Sequence, residues 1–193
     1  MNTLKLVTAP ASLPLTLAQV KEHLRVQDSD EDTMLALYIE AATVHAESFM
    51  GRALIDQTWD YTIDRLPCNG GTIELPRQPL LGVTQFDTGD SPEFSDYSVD
   101  LASGRLYLPV SGSWPTVTGD YAVARIRFRA GYVDQSESPE VGEVPADILN
   151  GILLIVGTLY AVRETVIVGQ TPASMPWSAE QLLRRHRIET SLA

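Results

Sequence analysis

A chain of 193 residues, 44% hydrophobic and 20% charged, is long enough for one sizeable core or two small ones and has the make-up of an ordinary soluble globular protein. Its formal net charge of −11 argues against a general nucleic-acid binder, which needs a basic footprint. The one cysteine, Cys68, excludes an internal disulfide framework and fits assembly in a reducing cytoplasm.

The charge is uneven. Lys and Arg against Asp and Glu number 4 and 8 in residues 1–56, 6 and 13 in 57–143, and 4 and 4 in 144–193. No basic leader with a continuous apolar core opens the chain, so no secretory signal is expected. Ile148–Val162 is the most apolar run. It is too short to span a bilayer, contains Asn150 and is flanked by Asp147 and Arg163, so it is expected to be a buried helix.

Residues 1–14 hold two prolines and little periodicity, which predicts an extended arm or edge strand. From Thr16 the period becomes helical. Thr16 and Gln19 have capping-box spacing, and Leu17, Val20 and Leu24 share a face, which predicts a helix over 16–25. The acidic turn Asp28–Asp32 is expected to offer side-chain oxygens to the open amides of a second helix, 31–50. Leu35, Tyr38, Ile39, Ala42, Ala46 and Phe49 form its apolar stripe, and Gly51 its left-handed cap.

At Thr58 the period changes to two: Trp59, Tyr61 and Ile63 alternate with Thr58, Asp60, Thr62 and Asp64, as in a strand with one wet face. Short strands are predicted at Thr72–Leu75 and Val83–Thr88, with Pro76 and Pro79 interrupting the ladder. Residues 87–100 carry five acids and no base, which predicts an exposed loop. Tyr97–Leu101 and Arg105–Pro109 should form a hairpin across Ala102–Gly104, with another loop over Val110–Asp120. Tyr121–Tyr132 is the clearest strand, with Ala124, Ile126, Phe128 and Ala130 on one face and Val123, Arg125, Arg127 and Arg129 on the other. After an acidic linker, Asp134–Glu143, helix resumes at Pro145. It is apolar around nearly its whole circumference, so it is expected to be central to the core or buried between subunits. Gly169, Pro172 and Pro176 mark a tether, and Ser178 is the expected cap of a last helix, Ala179–Arg187.

No catalytic, cofactor-binding or metal-binding set emerges. Asp28, Asp30 and Asp32 have the spacing of a calcium loop, but Thr33 stands where its glycine belongs and Ile39 where its closing glutamate belongs, so helix capping is the better account. His23, His45 and His186 are too dispersed for zinc, and nucleotide and nucleophile motifs are missing. Two basic features remain. Arg125, Arg127 and Arg129 place three charges about 7 Å apart on one strand face. This stripe is either a solvated face neutralised by neighbouring carboxylates or a subunit interface facing an acidic loop of the next copy; direct DNA contact is the third and weakest alternative. Arg184, Arg185 and Arg187 with Leu182 and Leu183 form either a fraying surface helix or an amphipathic helix docked in a partner's groove.

Read together, Leu17, Ala18, Lys21, Leu24, Arg25, Asp32, Ala41, Ala42, Glu47, Gly51, Arg52, Leu54, Gln57 and Trp59 are similar to the opening of phage head–tail connector (adaptor, head-completion) proteins of long-tailed phages and gene transfer agents. RIRFRAGY at Arg125–Tyr132, VPADI at Val144–Ile148 and the pair Arg163–Glu164 continue the resemblance. The basic run Arg184–Arg187 departs from it. These are packing and capping positions rather than chemistry, and the resemblance rests on their order and spacing.

The resemblance implies a non-enzymatic ring, usually of twelve copies, beneath the portal in the neck of a virion or gene transfer agent particle. The ring extends the DNA channel and meets the next neck or tail component, a stopper or tail terminator. DNA passes through without sequence-specific binding, and no membrane is involved. Twelve copies at −11 each would gather roughly 130 negative charges, and an acidic lumen lets DNA slide. The expected fold is α+β: a helical bundle core (15–56 and 144–164), a β-rich insertion (57–143), and a tether with a C-terminal tail (165–193), together one connector domain. Trp177, Leu182, Leu183, Arg184, Arg185 and Arg187 are the expected portal-docking residues, with 177–188 becoming a fixed helix only on docking. A DNA-binding packaging factor and a small ligand-binding domain are the alternatives.

Overall fold

The computed structural model describes residues 2–68, 70–88, 93–110, 112–117, 122–133, 143–162 and 176–188. Their order is β1 (Thr3–Thr8), α1 (Leu17–Leu24), α2 (Asp32–Met50), β2 (Gln57–Ile63), β3 (Ile73–Glu74), β4 (Leu80–Thr88), β5 (Ser98–Asp100), β6 (Arg105–Tyr107), β7 (Ala124–Ala130), α3 (Ala146–Ala161) and α4 (Trp177–Arg184). The chain divides into two units: residues 1–11, 52–142 and 190–193 in one, 12–51 and 143–189 in the other. The mixed, antiparallel α+β class is the one expected.

In the β unit, β7 lies at the middle of a four-stranded antiparallel sheet ordered β1-β2-β7-β4, and β3-β6-β5 form a smaller sheet. Alternation along β7 does what the sequence requires: Ala124, Ile126, Phe128 and Ala130 are buried and the arginines point the other way. Val123, expected on the arginine face, is buried, because it precedes the regular part of the strand. The arm at Thr3–Thr8 is an edge strand on β2. β4 starts at Leu80, directly after Pro79 and earlier than expected.

The acidic loop corrects another expectation. Counting its charges alone predicts exposure throughout, yet Phe94 and Tyr97 pack on Phe86 at ring-centroid distances of 5.4 and 5.5 Å, with Trp114 at 5.9 Å. Such pairs add about 0.5–1.5 kcal/mol each beyond area burial. Trp114, from the second expected loop, also donates its indole N–H to the Gly71 carbonyl at 2.8 Å. Residues 89–92, 111 and 118–121 of these loops lie outside the described residues, as do 134–142 of the acidic linker. After β7, Gly131 lets the chain run against residues 54–56: a Cβ there would sit 2.6 Å from the Asp56 amide nitrogen.

In the helical unit, α1 begins with the expected capping box between Thr16 and Gln19. α2 ends at Gly51, whose φ of +70° suits glycine. Its start differs from expectation. Glu31 is the N-cap residue and makes no side-chain cap bond; its carboxylate accepts from the Tyr160 hydroxyl at 2.6 Å, and Asp32 pairs with Lys21 at 2.6 Å. Glu31 and Asp32 are thus engaged by other side chains of the unit, while Asp28 and Asp30 of the same turn are exposed. α3 buries Ile148, Gly151, Ile152, Ile155 and Val156, Leu149, Leu153, Leu154 and Leu159 are half-buried, and between Asp147 and Tyr160 only Asn150 and Thr158 are exposed. No helix among the described residues is long and apolar enough to cross a membrane.

Candidate functional site

The arginine stripe is built by sheet register. Arg127 on β7 faces Asp60 on β2 and Arg125 faces Asp87 on β4, directly across the ladder. Arg127 grips Asp60 with two bonds of 2.7 and 2.8 Å, and Arg125 reaches Asp87 at 2.7 Å. Arg129 faces Thr58 and reaches one step diagonally to both oxygens of Asp56, at 3.1 and 2.5 Å. The Arg127 hydrogen bond holds the Asp60 carboxyl below the usual carboxylate range, and the Arg125 bond does the same for Asp87. In return, the bond to Asp60 raises Arg127. The stripe is therefore neutralised by carboxylates of its own unit.

The tail departs further from expectation. Its tether, residues 163–175, lies outside the described residues, as do 189–193. Its helix starts at Trp177, after Pro176, and Ser178 does not cap it. Instead of waiting for a partner, α4 packs on its own unit. Leu183 and Ala179 are fully buried, and a Cβ on Gly151 of α3 would lie 3.0 Å from the Leu183 side chain. His186 meets Asp147 at 2.7 Å and holds that carboxyl low, Arg187 lies over the Phe49 ring, and the Ile188 amide bonds the Met50 carbonyl. Gly151 is the signal that sequence reading missed: a glycine inside an apolar helix leaves a notch, and a leucine fills it. Of the residues expected to dock, Leu183 is internal, Leu182 is half-buried, and Trp177, Arg184, Arg185 and Arg187 are exposed.

One surface went unnoticed in the sequence. Met34, Leu37 and Val44 of α2 are 47%, 57% and 55% exposed, and with Ala41 they repeat at three- and four-residue steps opposite the buried stripe. The signal was present as a second apolar series, obscured by the stronger one beside it.

Nothing among the described residues gathers three or more His, Cys, Asp or Glu side chains in a metal-binding arrangement. Asp28 and Asp30 are exposed, while Asp32 is engaged by Lys21.

Residues 14–81 match the family model of the phage gp6-like head-tail connector proteins, the segment where the sequence resemblance is densest. In fold the chain is similar to a protein in the neck of an empty gene transfer agent particle, computed with C6 symmetry: 24% identity, TM-score 0.75, 96% of this chain and 95% of the other covered. It is also similar to one in the neck of a native particle computed with C12 symmetry (22%, 0.71, 96% and 94%) and to one in the virion of a native particle (24%, 0.70, 95% and 94%). No curated protein matches the chain.

Proposed function

We infer that this protein is a structural subunit of a head–tail connector, not an enzyme, and that it works in the neck of a phage or gene transfer agent particle. One observation carries the reading: the family match at residues 14–81 continues as a fold match over 96% of the chain to neck proteins of symmetric particles.

The finer form of the reading is a ring, of twelve copies as in the C12 neck, placed next to the portal and extending the DNA channel to the next neck or tail component. The helical unit would act as the bundle core of each subunit. An excess of negative charge, −11 per chain, suits a lumen through which DNA moves without being held. Attachment to the portal is assigned to the C-terminal part, 165–193. The interface role of Arg125, Arg127 and Arg129 takes a modified form: the neutralised stripe would meet a neighbour as a braced, polar face rather than as free charge.

Light scattering and electron microscopy of the purified protein, alone and with portal, test this. Rings that bind portal are expected. A chain that stays monomeric in both conditions and is absent from particles would defeat the reading.

A further inference from the structure

A ring of identical subunits needs two different, complementary patches on each copy, since a patch that matches itself closes into a two-fold dimer. This inference rests on the ring reading, and the helical unit carries two such patches.

The first is the outer face of α2. Helical geometry places Met34, Leu37, Ala41 and Val44 in one stripe about 15 Å long, on the side opposite Leu35, Ile39, Ala42 and Ala46. The 3-4-3 spacing is that of a helix-packing seam. Glu40 is exposed at its margin, three residues after Leu37 and four before Val44, and Asp30 is exposed in the turn that leads into the helix. Neither carboxylate has an ion-pair partner among the described residues. Glu40 stands near the middle of the stripe, so two α2 faces packed antiparallel would bring their Glu40 side chains together. An apolar stripe with such a carboxylate is poorly suited to its own copy, and it does not suit DNA.

The second is the outer face of α4. Trp177, Gln181, Arg184 and Arg185 fall at i, i+4, i+7 and i+8, opposite the buried Ala179 and Leu183, along about 12 Å. Trp177 is 74% exposed, and among the described residues Arg184 and Arg185 have no carboxylate partner. Trp and Arg are the residues that most often dominate binding. The two faces match in length, each offers apolar surface, and their charges are of opposite sign.

We propose that the α4 face of one copy (Trp177, Arg184, Arg185) docks on the α2 face of the next (Met34, Leu37, Val44, with Glu40 and Asp30), forming the head-to-tail seam of the ring.

The test uses the full chain. Leu37→Glu with Val44→Glu, and separately Arg184→Glu with Arg185→Glu, should each weaken association between copies at least tenfold by sedimentation, with circular dichroism and melting temperature little changed. Combining Arg184→Glu and Arg185→Glu with Asp30→Arg and Glu40→Arg should restore rings, a rescue that a folding defect would not show. Rings that survive either double substitution overturn the proposal while leaving the ring reading standing. So do intact Arg184→Glu/Arg185→Glu rings that no longer bind portal, which would give the α4 face to the portal. Failure of the charge exchange to rescue also counts against the seam. A wild-type chain that is monomeric at every concentration, alone and with portal, removes the ring reading and the seam together.

Discussion

Two groups of arginines on this chain have opposite fates. Arg125, Arg127 and Arg129 stand on a central strand, where antiparallel register sets Asp60 and Asp87 directly opposite and Asp56 one step away. Arg184 and Arg185 end a short helix that packs by Ala179 and Leu183, and among the described residues they meet no carboxylate. A sheet interior hands each side chain a cross-strand neighbour. The outer face of a peripheral helix has neighbours only along its own turn. Composition alone makes the stripe the more conspicuous basic patch, but the available charge lies at the tail.

The largest effect should come from the contact that holds the tail in place. Leu183→Ala would leave a void against Gly151, and loss of a fully buried leucine costs about 2–5 kcal/mol. Denaturant titration followed by helical dichroism should show that loss, confined to the helical unit. An unchanged midpoint would mean that α4 does not rest on α3 in solution. Next in size is Arg129→Glu. It removes a two-bond clasp and sets a glutamate beside Asp56, where charged hydrogen bonds contribute about 1.5–3 kcal/mol. The melting temperature of the β unit should fall. Replacing all three arginines by glutamate is therefore expected to disrupt the subunit before it says anything about assembly.

A smaller effect concerns acid. The Asp60 and Asp87 carboxyls lie below their ordinary value of 3.8, chiefly through hydrogen bonds from Arg127 and Arg125. A group whose folded value is depressed adds stability above the unfolded value and loses it as pH falls through the folded one. The stripe's contribution should thus be complete above about pH 4 and decline progressively as pH falls from there through the lowered folded values. Asp60→Asn should lower the melting temperature at pH 7 and matter progressively less as pH falls through the lowered Asp60 value. A difference that persists undiminished as pH falls would show that Asp60 acts by packing rather than charge.

Most elements were legible because local chemistry and tertiary demand agree at them. Thr16 with Gln19, Gly51, and the alternation of β7 each have one satisfactory structural solution. What the sequence hid was competition for side chains. The whole turn Asp28–Asp32 offers capping oxygens by sequence, but Tyr160 and Lys21 claim Glu31 and Asp32, and Tyr160 is 129 residues distant from Glu31. Phe94 and Tyr97 were hidden among the acids around them, although aromatics in a charged loop are the residues that anchor it. The stripe's neutrality depends on register between strands that lie far apart in sequence. The packing of the tail helix is hidden for a related reason. An isolated eight-residue helix is marginal in water, and only the notch at Gly151 of another helix shows where Leu183 goes.

The smallest expected change in stability is the sharpest check on the contrast between the two basic groups. If Arg184 and Arg185 are without structural partners, converting both to glutamate should move the subunit's stability by no more than about 0.5 kcal/mol, the usual range for surface positions away from special features. A small loss is the expected sign, since acids at a helix C-terminus oppose the helix dipole. The control is Arg187→Ala, which removes the cation over the Phe49 ring and should cost about 0.5–1 kcal/mol although it lies in the same basic run. Equal and substantial losses at all three positions would mean that the whole run braces the fold, as the strand arginines do. A near-zero effect at Arg184 and Arg185 beside a measurable one at Arg187 would divide the run as the structure does, with one arginine used inside the subunit and two left for a partner.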